Sequence, residues 1–269
     1  MGTDVFFMDM TATSRENLPD KLERLVNAAG LDAVLEKNDL TAVKVHFGEQ
    51  GNTAYIRPVL IRKVIRAIRK AGATPFLTDA NTLYAGTRSN AVSHIKTAVE
   101  NGFSYSSMDA APLIIADGLF GKSETAVQVN LKHNREVFIG SEIINADALV
   151  SLAHFKGHEL SGFGGTLKNL GMGCASRRGK LDQHSNVSPK IKRKTCTGGG
   201  LCAEHCPGQA ITIENKKAYI NKAACIGCAE CIVRCPTASI TIKWNQTVPV
   251  FLEKMMEYTA GVLQNKAGK

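Results

Sequence analysis

Seven of the eight cysteines in this 269-residue chain fall between positions 196 and 235, and no other feature restricts its fold so tightly. From Cys196 the chain reads CTGGGLCAEHCP, and from Cys225 it reads CIGCAECIVRCP, the two segments lying 29 residues apart. The register persists beyond the cysteines: Cys202 corresponds to Cys231, Cys206 to Cys235, Pro207 to Pro236, and Ala210-Ile-Thr-Ile213 to Ser239-Ile-Thr-Ile242. This is an internal repeat. Its second copy is a complete C-x2-C-x2-C-x3-C-P run, the bacterial iron–sulfur spacing in which three cysteines wrap one cluster and the fourth reaches the other. The N-terminal MGTDVFFMDMT shows neither a basic leader nor a long apolar run, and Phe6 spoils a myristoylation signal. A cytoplasmic location and no membrane association are therefore expected. In that reducing compartment metal ligation outranks disulfides, with zinc as the lesser alternative to iron.

Residues 190 to 245 resemble a bacterial two-cluster ferredoxin. The resemblance implies that Cys225, Cys228 and Cys231, with Cys206 from the first repeat, hold a [4Fe-4S] cluster. It implies a second cluster on Cys196, Cys202 and Cys235, but the position that should supply its remaining cysteine is Gly199. Three outcomes stay open. The cluster loses an iron and becomes [3Fe-4S], its open iron takes water, substrate or another non-cysteine ligand, or Cys174 provides the missing thiolate to a [4Fe-4S] cluster. A lone cysteine is more often a small buried hydrophobe.

Residues 1 to about 175 alternate short apolar runs with amphipathic stretches, which predicts an α/β domain with a mostly parallel sheet flanked by helices. Strands are expected near Val5–Met8, Ala42–Phe47, Thr74–Thr78, Leu113–Ala116, Ala126–Leu131, Val137–Ile139 and Ala148–Leu152. The clearest helices are Leu18–Ala29 and Pro58–Ala71, the second opened by Pro and closed by Gly72, with Val59, Ile61, Val64, Ile65 and Ile68 inward. Residues 176–195 have the composition of a linker. A stripe of Phe251, Met255, Tyr258 and Val262 marks a C-terminal amphipathic helix. The expected organisation is an α/β domain over 1–189, a small α+β ferredoxin-like domain over 190–245, and a helix within 246–269 that packs back on the first domain.

In open α/β sheets ligands bind beyond the carboxyl ends of strands. Three polar stretches fall there: Lys44-Val-His46-Phe-Gly48-Glu49, Thr78 to Arg88, and His154-Phe-Lys156-Gly-His158-Glu159. Each alone reads as a polar turn; together they predict a site for a small anionic substrate. Its contacts are taken as Lys44, His46, Asn81, Arg88, Lys156, His158, Lys168 and Asn169, with Lys156, His158 and Lys168 as catalytic candidates and His158 as a proton donor. His154 and His158 are four apart, but the glycines that follow argue for a loop over a metal-binding helix face.

The phrase AHFKGHELSGFGGTLKNLGMGCASRRGK is similar to the bacterial and archaeal domain-of-unknown-function 362 family, most specifically at Lys156-Gly-His158 and Lys168-Asn169. That resemblance implies an iron–sulfur protein of anaerobic or ancient metabolism and supplies no catalytic residue. Net charge is +9. The cations look dispersed, over Arg62, Lys63, Arg66, Arg69 and Lys70 on one helix and Lys190, Lys192, Arg193 and Lys194 in the linker, so nucleic acid is not expected. A redox partner protein or a small anionic substrate is. There is no G-x-G-x-x-G, Walker A or haem-attachment motif. The readings that remain are an iron–sulfur oxidoreductase, a ferredoxin-like electron carrier, and an accessory or assembly protein without turnover.

Overall fold

The computed structural model describes residues 4–158, 161–185, 188–264 and 266. In chain order its elements begin with α1 (Leu18–Ala28), α2 (Leu31–Val34), β1 (Leu40–Val45), α3 (Pro58–Lys70), β2 (Thr74–Asp79), α4 (Ala91–Glu100) and β3 (Leu113–Ile115). There follow β4 (Glu124–Gln128), β5 (Glu136–Gly140), α5 (Ser141–Asn145), β6 (Ala148–Leu152), β7 (Lys156–His158), β8 (Gly162–Gly164), α6 (Thr166–Gly171) and α7 (Arg177–His184). The cysteine-rich part carries β9 (Lys190–Ile191), α8 (Leu201–Glu204), β10 (Ile211–Glu214), β11 (Lys217–Ile220), α9 (Glu230–Arg234) and β12 (Ile240–Thr241), and α10 (Val248–Leu263) follows it.

The fold is α/β, built on a parallel sheet in the order β3-β2-β1-β6. Its central strands β1 and β2 are buried at every position after the first, as strands covered on both faces must be. On one face Val43, Val45 and Leu77 meet Ile61, Val64, Ile65 and Ile68 of α3. Val59, read as part of that stripe, is 44% exposed at the first turn of α3. On the other face Ala42 and Phe76 join a core with Val137 and Ile139 of β5, Leu170 of α6, and Tyr258 and Val262 of α10.

Two expectations change here. Residues 5–8 form no strand, and Val5 and Phe7 stand 89% and 85% exposed: a short apolar run becomes a strand only where a sheet edge takes it up. β4 and β5 are strands, but they pair antiparallel as a separate hairpin beside the parallel sheet.

The stretch read as a linker contains α7, capped by Ser176, whose hydroxyl accepts from the Gly179 N–H. Arg177, Lys180 and Gln183 are buried in it. A helix that buries polar side chains leaves no hydrophobic period to read. α10 lies across α6 so closely that a Cβ on Gly171 would sit 2.2 Å from the Met255 carbonyl oxygen. Lys254 and Tyr258 of α10 also bond Asp182 of α7, at 2.9 and 3.0 Å. Among the described residues no helix is long and apolar enough to cross a membrane.

Candidate functional site

In the cysteine-rich part β10 pairs β11 and β12 pairs β9, so the two repeats wrap one small core that holds Cys196, Cys202, Ile211, Ile232 and Ile240. Leu83 and Leu181 enter that core from the α/β side. Buried Glu230 of α9 pairs with Lys122 and, at 3.2 Å, with Arg234, whose guanidinium lies 3.8 Å over the Phe120 ring. The cysteine lobe is thereby fastened to the loop after β3.

Two small cavities open in this lobe. The first is lined by Cys206, Cys225, Cys228 and Cys231, with Ile211, Ile220 and Ile226 as apolar walls. The second is lined by Cys196, Cys202 and Cys235, with Gly198, Gly199 and Gly200. Burial pushes the Cys231 thiol up, and the nearby Cys228, Cys225 and Cys206 sulfurs push it further. Four converging thiolates repel one another unless a cation joins them. Backbone N–H groups donate to the sulfurs at equivalent places in the repeats, Ala210 to Cys206 Sγ at 3.3 Å and Ser239 to Cys235 Sγ at 3.2 Å. The donor set fits an iron–sulfur cluster, whose thiolates spread round a cube of metal and sulfide. Among the described residues no three His, Cys, Asp or Glu side chains form a group for a single metal ion.

At Gly199 a Cβ would meet only Thr197 Oγ1, at 3.8 Å, so the position is open to a larger side chain. Cys174 lies elsewhere. It is fully buried in the α/β core beside Ala175 and Leu170, its Sγ 3.8 Å from the Asn169 carbonyl oxygen, and burial pushes its thiol up to about 11. It is not among the residues around the second cavity.

The eight residues read as anion contacts separate into two places. Lys44, on the carboxyl half of β1, is 1% exposed, and its ammonium lies 2.9 Å from Asp79 Oδ1 and 2.8 Å from Asn169 Oδ1. Asn169 donates in turn to Ser151 Oγ at 2.9 Å, tying α6 to β6. Arg88 reaches Asp79 Oδ2 at 3.2 Å and pairs with Glu49. Burial alone would raise Asp79, but Lys44, His94 and Arg88 hold it well below the usual carboxylate range.

Lys44, Arg88 and Asn169 thus share an interior charge balance. Asn81 is engaged nearby, its side-chain amide donating to Asp117 Oδ1 at 2.8 Å. Burial, helped by Arg88, lowers His46 to about 3, so it is neutral at physiological pH and accepts the Gly48 N–H at 2.9 Å. With Nδ1 accepting, the neutral ring carries its proton on Nε2.

Lys156 and Lys168 stand apart from this network. β7 and β8 form a hairpin, and the space above Gly164 is flanked by the Lys168 and Lys156 side chains. Lys156 Nζ donates to the Ala54 carbonyl oxygen at 3.3 Å, whereas Lys168 has no hydrogen bond or ion pair among the described residues. Burial, with Lys156 nearby, lowers Lys168 to about 8. His158 accepts the Ser161 N–H at Nδ1, 3.2 Å away. Phe155 and Phe163 stack at 5.3 Å on the same hairpin and stay mostly exposed. His154 precedes β7, so the two histidines share no helix face; Glu159 lies outside the described residues.

Arg177 went unread in the sequence. Fully buried, it donates to the carbonyl oxygens of Thr82, Ser89 and Phe120, so one side chain gathers the loops after β2 and β3 beneath the cysteine lobe. Its position in a polar stretch gave no signal.

Residues 41–267 match the model of a family described as domain of unknown function (DUF362). The chain belongs to that family. No curated protein matches it. Among solved structures, this DUF362 protein is similar to the lactate racemase apoprotein from Thermoanaerobacterium thermosaccharolyticum, at 14% identity and a TM-score of 0.43. The match covers 81% of this chain and 46% of that one, so the chain corresponds to less than half of the racemase.

Proposed function

We propose that this DUF362 protein is an iron–sulfur protein with a redox role, its clusters serving a small anionic substrate bound by the α/β domain at Lys156 and Lys168. The observation that carries the reading is the coincidence of two kinds of information: the two cysteine sets that the ferredoxin resemblance implies line two separate cavities. Cys206, Cys225, Cys228 and Cys231 would hold a [4Fe-4S] cluster. Cys196, Cys202 and Cys235 would hold the second, with the corner at Gly199 left without a thiolate. When bound, such clusters pass electrons singly.

The chain's own groups supply the rest. Lys156 and Lys168 attract an anion, and Lys168, close to half-protonated near pH 8, can deliver a proton to it. The N–H groups of Ala210 and Ser239 stabilise charge on the sulfurs they meet. Electron carriage without turnover is the second reading. It is favoured by the interior charge balance that engages Lys44, Arg88 and Asn169.

The test is electron paramagnetic resonance with iron and acid-labile sulfide analysis on anaerobically purified protein, before and after dithionite. A three-iron signal in the oxidised state and a four-iron signal on reduction are expected, and Gly199→Cys should convert the first into a second four-iron signal. Protein that takes up zinc but no sulfide under anaerobic reconstitution would overturn the proposal. Lys156→Ala and Lys168→Ala should keep full iron content while losing anion binding, which separates an enzyme from a carrier.

A further inference from the structure

The cysteine lobe carries a third concavity that neither cluster accounts for. It is an open groove of about 400 Å³ lined by Ser188, Pro189, Ile191, Ala218, Tyr219 and Ile220, with the cations Lys190, Arg193, Lys222 and Lys243 around it. No acidic residue lines it. All four cations are exposed, and none pairs with a carboxylate among the described residues. Arg193 is held 4.5 Å over the Tyr219 ring, which fixes its charge at the groove wall.

The sequence placed these charges in a dispersed background, yet residues 190–245 hold nine basic against three acidic residues and so carry two thirds of the net charge of +9. The groove shares its walls with both cavities. Pro189 and Ile220 also line the first, and Ala218 also lines the second. A partner seated there would touch residues that also line each cysteine cavity.

We propose that this groove is the docking surface for an acidic electron-carrier protein. The inference rests on the iron–sulfur reading above and adds the partner's chemistry and its place. Like charges gathered on a groove that shares walls with both cysteine cavities steer an oppositely charged carrier to that face. Contacts of this kind are small and transient and act mainly on the association rate.

The experiment is stopped-flow reduction of anaerobic full-length protein by two acidic probes, a reduced flavodoxin and a reduced two-cluster ferredoxin, across a range of salt. The test variant reverses the groove: Lys190→Glu, Arg193→Glu, Lys222→Glu and Lys243→Glu together. A matched control reverses four exposed cations of the α/β domain, Lys37→Glu, Arg69→Glu, Lys70→Glu and Arg135→Glu, with the same change in net charge. The expected result is a rate that falls with salt, drops on the order of tenfold or more in the groove variant with loss of its salt dependence, and changes far less in the control.

Equal loss in both variants would mean bulk charge acts alone and would overturn the proposal. So would unchanged rates in the groove variant, or no salt-sensitive reduction by either probe. Tripolyphosphate titration is run alongside. If the groove variant loses only tripolyphosphate binding, the groove is a small-anion site and the proposal fails. Iron and sulfide analysis of every sample keeps the two readings apart, because absent clusters defeat the earlier reading whatever the groove does.

Discussion

Lys44 on β1 and Lys168 on α6 are the same residue type, and their surroundings differ sharply. Lys44 meets Asp79 and Asn169 within 3 Å in an interior where Arg88, Glu49 and His94 complete the charge balance. Lys168 faces Lys156 across a glycine hairpin with no carboxylate among the described residues to answer it. A buried cation with its partner is architecture; a desolvated cation beside a like charge stores a preference for whatever anion arrives.

The largest effect should come from breaking the balanced side. Asp79→Asn leaves Lys44 and Arg88 buried without their shared carboxylate and should cost about 3–5 kcal/mol in urea unfolding of the anaerobic protein. A loss under about 1 kcal/mol would mean that the interior charges find other partners. The opposite change, Lys168→Met, removes a cation that folding desolvates and should not lower stability at pH 7, yet it should abolish the rise in Tm that phosphate or citrate gives the parent. If anions stabilise the variant equally, the Lys156–Lys168 place is not where they bind.

The pH dependence sharpens the contrast further. Burial lowers the folded Lys168 to about 8 from its ordinary value of 10.5, so between these the unfolded chain binds more protons. Stability contributed by this group therefore rises with pH across that window. Lys180, fully buried and also lowered to about 8 by burial, adds in the same direction. A bound anion favours charged Lys168, so its stabilising effect should be large at pH 7 and small at pH 9.5. The smallest expected change is His46→Gln, which keeps an uncharged acceptor near the Gly48 N–H and should leave the low-pH limb of the anion response unmoved.

The parts of the fold legible in the sequence are those in which local pattern and tertiary environment agree. The runs that became the central strands β1 and β2 are covered on both faces, and α3 shows its buried face directly. The sulfurs that the ferredoxin resemblance groups together line the same cavity. At the residues read as anion contacts, sequence shows cations more readily than their neutralisation. Asp79 and Glu49 sit in the same polar stretches as Lys44 and Arg88, and nothing in one dimension tells that they close on each other. α7 escaped for a related reason, since Arg177, Lys180 and Gln183 bury polarity that hydropathy counts as surface.

The order of elements along the chain has a consequence for how the molecule is made. Tyr258 and Val262 of α10 complete the same core as Ala42, Phe76 and Val137, but the whole cysteine lobe is translated between those two contributions. On the ribosome the α/β sheet therefore waits with one flank uncovered until the seven clustered cysteines have emerged. A chain cut after β12 would lack not a peripheral helix but the last wall of its oldest-made core, and it should be recognised as unfinished by proteases that read exposed apolar surface.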